Sequence, residues 1–267
     1  MSLIYQVLRE QFANAHLIWR LAIYDMKSRY QMHYLGVLWQ FLGPMLQILV
    51  YWFVIGIGIR GGGGVEGQPY FVWLVVGLIP WFFINRSILQ GSGSIIAKVN
   101  LVSKMNFPVS VLPTINIVSN TFNFMAMFFI MWIILIFNNK GASIYLLQLP
   151  YYMIALYILL FSLTLFGSTI ALFVRDFQMV LPPLMRIIFY LSPVLWDTSN
   201  FSEAIQTALK LNPFYYIVVG FRSSILGGEW FYQDVVYTVY FWSFTFFILL
   251  IGSLIHVKFR DKFVDYI

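Results

Sequence analysis

Cysteine is absent from all 267 residues, which removes disulfide frameworks, thiolate nucleophiles and cysteine metal sites together. Charge is nearly as scarce: Asp, Glu, Lys and Arg make up 10% of the chain, where a soluble domain carries about a quarter. The histidines, His16, His33 and His256, lie in the terminal helix or at span margins, too scattered to build a Ser-His pair or a histidine metal site inside a membrane. All ten carboxylates fall in loops or tails: Glu10, Asp25, Asp176, Asp261 and Asp265 toward one side, Glu66, Asp197, Glu203, Glu229 and Asp234 toward the other. Ion- and proton-coupled carriers commonly hold a carboxylate near mid-membrane, so this distribution counts against one. A P-loop is missing too. The run Arg60–Gly64 is followed by Val65 and Glu66 rather than by the Lys and Ser or Thr that cradle phosphate, and it reads as an external turn.

What is present is apolar. With 61% hydrophobic and 20% aromatic residues, the chain is an all-α integral membrane protein. Uncharged windows near the ~20 residues a bilayer requires recur at 35–59, 67–85, 105–139, 141–174 and 235–257. A sixth span is expected at 177–196, weakened by prolines and Arg186. The first 33 residues mix charged with apolar positions, unlike a cleavable signal. Within 4–26, Leu8, Phe12, Ala15, Trp19, Ala22 and Met26 recur at helical steps with Arg9, Arg20 and Lys27 off the stripe, which predicts an amphipathic helix lying in the interface. The expected organisation is therefore an interfacial helix at 1–33, a six-span domain at 34–258 and a tail at 259–267. The segment 211–226 is apolar for too few residues to cross, and is expected to be re-entrant or interfacial.

The net charge of +6 is read as topology rather than as nucleic-acid binding. With both termini on one side, that side holds Arg9, Arg20, Lys27, Arg29, Lys98, Lys104, Arg175, Lys258, Arg260 and Lys262, against Arg60, Lys140, Lys210 and Arg222 opposite. The basic excess predicts cytoplasmic termini in a multi-pass cell-membrane protein. Arg86 and Arg186 are left within or at the ends of spans. Each is expected to snorkel, pair, or line a conduit for an anionic head group. Aromatic residues cluster near span ends, Trp39 and Tyr51 among them; they suit an interfacial belt, and equally a path along which sugar rings slide.

The stretches GVLWQFLGPMLQILVYWFV, LVSKMNFPVSVLP, VRDFQMVLPPLMR, SPVLW and LNPFYYIVVGFRSSIL resemble the permease subunits of ABC-2 type polysaccharide exporters over nearly the whole chain. SKMNFPVSVLP and the tail HVKFRDKFVDYI are most similar to the wall teichoic acid exporter permease of Gram-positive bacteria; capsule and O-antigen exporters share the framework. The resemblance implies a homodimer of six-span permeases with two copies of a separate ATPase, moving a lipid-linked polymer among membrane lipids. It implies no cofactor on this chain, with ATP and Mg at the partner. It also implies a coupling helix at Lys98, Val99, Asn100, Lys104, Met105, Asn106 and Phe107, and an outer gate near Asn212, Pro213, Val218 and Arg222. Lys98 and Lys104 independently favour a cytoplasmic loop there, and Pro108 ends any helix before the next span. The rival class, a membrane enzyme of lipid-linked glycan assembly, needs paired acidic or metal-binding residues at a cleft, and the sequence offers none.

Overall fold

The computed structural model describes residues 3–29, 34–98, 107–138, 143–174, 176–199 and 201–260. Among them the fold is helical throughout. In chain order the elements are α1 (Leu3–Ala13), α2 (Ala15–Ser28), α3 (Trp39–Tyr51), α4 (Tyr70–Ser92), α5 (Ser94–Ala97), α6 (Val111–Phe137), α7 (Leu149–Phe173), α8 (Phe177–Leu191), α9 (Glu203–Lys210), α10 (Pro213–Leu226) and α11 (Val235–Phe259). A π-helical stretch, Trp52–Ile59, carries α3 on toward Arg60. Among the described residues five helices are long and apolar enough to cross a membrane: Trp39–Ile59, Tyr70–Ser92, Val111–Phe137, Ile144–Phe173 and Val235–Phe259.

The sixth expected span, 177–196, is a shorter helix of 15 residues, about 22 Å at 1.5 Å per residue, against a hydrocarbon core of about 30 Å. Pro193 explains its end. The residue before a proline is pushed out of the helical region, and Ser192 is extended at φ −92° and ψ 149°. Leu191 is therefore the last helical residue, and the 192–196 segment leaves the axis.

The amphipathic stretch at 4–26 is two helices rather than one, divided at Asn14. The Asn14 side chain donates to the Glu10 carbonyl at 2.8 Å, the local competition with helical bonding that makes asparagine a breaker. The expected stripe is divided as well. Ala22 is buried with Ile18 against Ile95, Val111 and Ile115, while Phe12 and Trp19 face outward. Both helices thus pack on the end of the bundle that also receives the end of α11, here called the terminal face: Val7 lies against Leu165 and Leu249, and Arg260 pairs with Glu10 at 3.1 Å.

α4 is the central post. Uncharged before Arg86 and apolar on every side, it is buried against α6, α7 and α10, as a helix hydrophobic all round must be. α3 and its π-helical continuation lie at the margin, with Leu42, Leu46, Val50 and Phe53 exposed. α7 begins at Leu149 with Pro150 in its first turn, where a proline's missing N–H costs nothing.

α10 occupies the end of the bundle away from the terminal face. Asn212 caps it, accepting from Phe214 N at 3.0 Å and donating to Ser192 Oγ at 2.8 Å, with Pro213 in the first turn. These two residues set a helix start. Val218 is fully buried in the main core, so a charge placed there would break packing. Its neighbour Val219 is the one that lines an open cleft.

Candidate functional site

Two clefts meet on the surface of α4. The first, about 340 Å³, lies between α3, α4 and α6 and is lined by Trp39, Gln47, Asn85, Arg86, Asn120 and Asn123 among others. The second, about 350 Å³, lies between α3, α4 and α8 and includes Tyr51, Trp81, Arg186 and Tyr190. Gln47, Phe82 and Asn85 line both, so the two form one continuous surface. The four conduit residues expected from sequence, Arg86, Arg186, Trp39 and Tyr51, all belong to it.

Its chemistry is distinctive for a membrane interior. Among the described residues no carboxylate lines either cleft, and neither arginine is in an ion pair. Four carboxamides supply donors and acceptors together. Gln47 donates to the Tyr51 hydroxyl at 3.3 Å, and the Asn123 Oδ1 is buried with no partner among the described residues. An unmet buried acceptor costs about 1–3 kcal/mol, and a hydroxyl-bearing ligand would satisfy it. Such a surface suits groups that are anionic or rich in hydroxyls, or both.

A polar chain joins this cleft to the terminal face. Lys98 at the foot of the expected coupling segment pairs with Asp25 Oδ1 at 3.1 Å. Arg29, one turn beyond Asp25 on the same helical face, holds the other oxygen at 3.0 Å. The Arg29 guanidinium also donates to Asn120 Oδ1 at 2.9 Å and reaches Asn116 Oδ1 at 3.4 Å. Asn120 lines the first cleft and approaches Ser87 of α4. Phe107, at the far end of the expected coupling segment, packs half-buried with the Ile18 and Ala22 cluster. Val99, Asn100, Lys104, Met105 and Asn106 lie outside the described residues.

Arg222 takes a structural position. It is buried, its guanidinium lies 3.3 Å from the Trp73 ring centroid, and it donates to the carbonyls of Trp73 (3.3 Å), Val194 (2.8 Å) and Pro193. The bend at Pro193 frees two of those carbonyls. Gly77 is what makes room on α4, because a Cβ there would overlap the guanidinium.

Asp25, Arg29, Asn116, Asn120 and Asn123 were not among the site residues expected from sequence. Asn116, Asn120 and Asn123 recur at helical spacing within an apolar span, a polar face that points to a helix interior or cavity. Among the described residues no group of three or more His, Cys, Asp or Glu is placed to hold a metal.

Fold and site thus define a multi-span helical membrane protein with a polar cleft that holds two arginines and four carboxamides. The family model of the ABC-2 type transporter matches residues 16–226, and the chain belongs to that family. Among its relatives is the O-antigen export system permease protein RfbA of Klebsiella pneumoniae, 24% identical over 242 residues, covering 90% of this chain and 91% of the relative. The protein of the same name from Myxococcus xanthus is 27% identical over 220 residues, covering 82% and 83%. The polysialic acid transport protein KpsM of Escherichia coli is 24% identical over 231 residues, covering 85% and 87%.

Proposed function

We propose that this chain is the membrane-spanning permease of an ATP-driven polysaccharide exporter, and that the cleft of Arg86 and Arg186 forms a wall of its conduit. The observation that carries the reading is the continuity of that cleft: two cations without carboxylate partners, four carboxamides and an aromatic rim on one surface. Sugar hydroxyls need donors and acceptors together, while an acidic repeat or a phosphate needs the guanidinium. The names of the relatives support an O-antigen or capsule-type cargo ahead of the narrower teichoic acid reading, and their organisms give no support to a Gram-positive source. The two cations favour an acidic polymer within that class.

In this reading the terminal face is cytoplasmic, and a separate ATPase docks on it around Lys98–Phe107. ATP and Mg bind that partner, and two permeases pair with two ATPases around a lipid-linked chain. Purification of the tagged protein from its host in mild detergent tests this. A stoichiometric ATPase should co-purify and be lost from the variant carrying Lys104→Glu and Phe107→Glu. Neither a co-purifying nor a crosslinked ATPase would leave the exporter without a motor, and the reading would fall.

A further inference from the structure

The end of the bundle away from the terminal face carries a second hollow, which shares no lining residue with the cleft of Arg86 and Arg186. It consists of two cavities, of about 420 and 140 Å³, the larger within the ~300–1,000 Å³ of small-ligand sites. Tyr215, Val219, Ser223 and Glu229 line both, so the two meet along α10. Three connecting segments bring carboxylates to the larger one: Glu66 from the turn before α4, Asp197 from the segment after α8, and Glu229 from the segment between α10 and α11. Among the described residues none of the three is in an ion pair. The two cations of the hollow are already engaged. Arg222 is held by the carbonyls of Trp73, Pro193 and Val194, and Lys210 by Asp234 at 3.5 Å. The lining therefore offers spare acceptors and repels anions, the reverse of the Arg86 cleft.

The smaller cavity is walled by rings. That of Tyr152 lies across α10 at Gly220, where a Cβ would overlap it, and Trp230, Phe231 and Tyr237 continue the wall. The Tyr237 hydroxyl is buried with no partner among the described residues. Its neighbour Tyr216 is fully engaged, meeting Tyr151 at 2.7 Å and Thr238 at 3.2 Å. An unmet buried hydroxyl is unfavourable, and at a cavity wall it is a group that a bound ligand satisfies.

We propose that this hollow binds a short uncharged glycan segment, its hydroxyls donating to the carboxylates of the larger cavity and a sugar ring packing on the aromatic wall of the smaller. Sugar hydroxyls are donors that a carboxylate accepts, and amphipathic rings suit a sugar face. An acidic stretch of glycan is turned away by the same carboxylates. The inference goes beyond the export reading by adding a glycan contact apart from the Arg86 cleft, and it rests on that reading only for the source of the glycan.

Saturation-transfer NMR of the purified full chain in phospholipid nanodiscs free of glycoside detergent tests it. The probes are the neutral disaccharides maltose and cellobiose, with digalacturonic acid as the anionic comparison. At least one neutral probe should receive transfer, and digalacturonic acid should receive little. Val219→Trp, which fills the junction of the two cavities, should abolish transfer. Tyr237→Phe should weaken binding by about fivefold, the factor one neutral hydrogen bond provides. Without sugar, Tyr237→Phe should melt no lower than the native chain, because it breaks no bond, whereas Tyr216→Phe should melt lower. That contrast separates a ligand contact from a structural one. Absence of transfer to both neutral probes overturns the proposal, as does native-like transfer in a folded Val219→Trp chain. Native-like binding by Tyr237→Phe overturns the part assigned to Tyr237, and equal transfer to digalacturonic acid overturns the selectivity against charge. None of these readouts uses ATP or export, so each leaves the reading of the Arg86 cleft to its own test.

Discussion

Lys98→Asp is expected to uncouple export from ATP hydrolysis, and the double variant Asp25→Lys with Lys98→Asp is expected to recover part of the loss. The single change removes one arm of the Lys98–Asp25 pair (3.1 Å) and sets two carboxylates against each other. Asp25 then draws less firmly on Arg29, which shares it at 3.0 Å and steadies Asn120 in the cleft wall at 2.9 Å. The pair is mostly shielded, its side chains 19% and 22% exposed, so salt screens it less than a surface pair. Export should fall by about tenfold or more in Lys98→Asp, the factor a ~1.4 kcal/mol coupling change produces. ATPase association should persist, because Phe107 and residues 99–106 are untouched. A double-variant cycle separates the pair's own contribution from the effects of each change. If the double variant is no better than the sum of the singles, the pair carries no coupling, and Lys98 acts through some other contact.

Arg222→Met is expected to lower stability by about 3 kcal/mol, since truncating a buried, hydrogen-bonded charge leaves its partners unpaired. The partners are the carbonyls of Trp73, Pro193 and Val194. They join α4 and α10 to the segment that follows α8, so one side chain ties three parts of the fold. Gly77→Ala should act in the same direction by displacing the guanidinium. Arg222→Lys should recover little, because a single ammonium does not reproduce a planar fork that serves three acceptors and stacks on an indole. Thermal melting in detergent reads all three. A stable Arg222→Met protein that exports nothing would give Arg222 a direct part in transport and remove its role as a clamp.

Most of the span map was legible from apolar run length, because the bilayer imposes it. The helices begin near the prolines that marked them, α6 at Val111 beside Pro113 and α7 at Leu149 beside Pro150. The break at Asn14 and the early end of α8 at Leu191 are not marked by apolar run length. Each depends on one residue's local geometry inside an otherwise continuous pattern.

The four residues Arg86, Arg186, Trp39 and Tyr51 that line the cleft stand out individually in the sequence, as charges and aromatics within or at the ends of apolar spans. That they share one surface is not legible there, because it depends on α3 standing between α6 and α8, which no local pattern encodes. The asparagine face of α6, Asn116, Asn120 and Asn123 at helical spacing, is legible in the sequence. At the end away from the terminal face, Val218 and Val219 differ by a single helical step, enough to turn one into the core and the other toward a cleft. Composition does not resolve that step.

The central claim is that the cleft of Arg86 and Arg186 carries the cargo. Its most direct test is polymer export measured in the Arg86→Gln, Arg186→Gln double variant, with membrane insertion and ATPase association verified in the same cells. Glutamine keeps hydrogen-bonding capacity and removes both cations. The account predicts an assembled complex whose export has fallen by about tenfold or more, as expected when an unscreened charge interaction with the cargo is lost. Export at the native rate by the assembled double variant would contradict it, and the path of the polymer would then lie elsewhere in the complex.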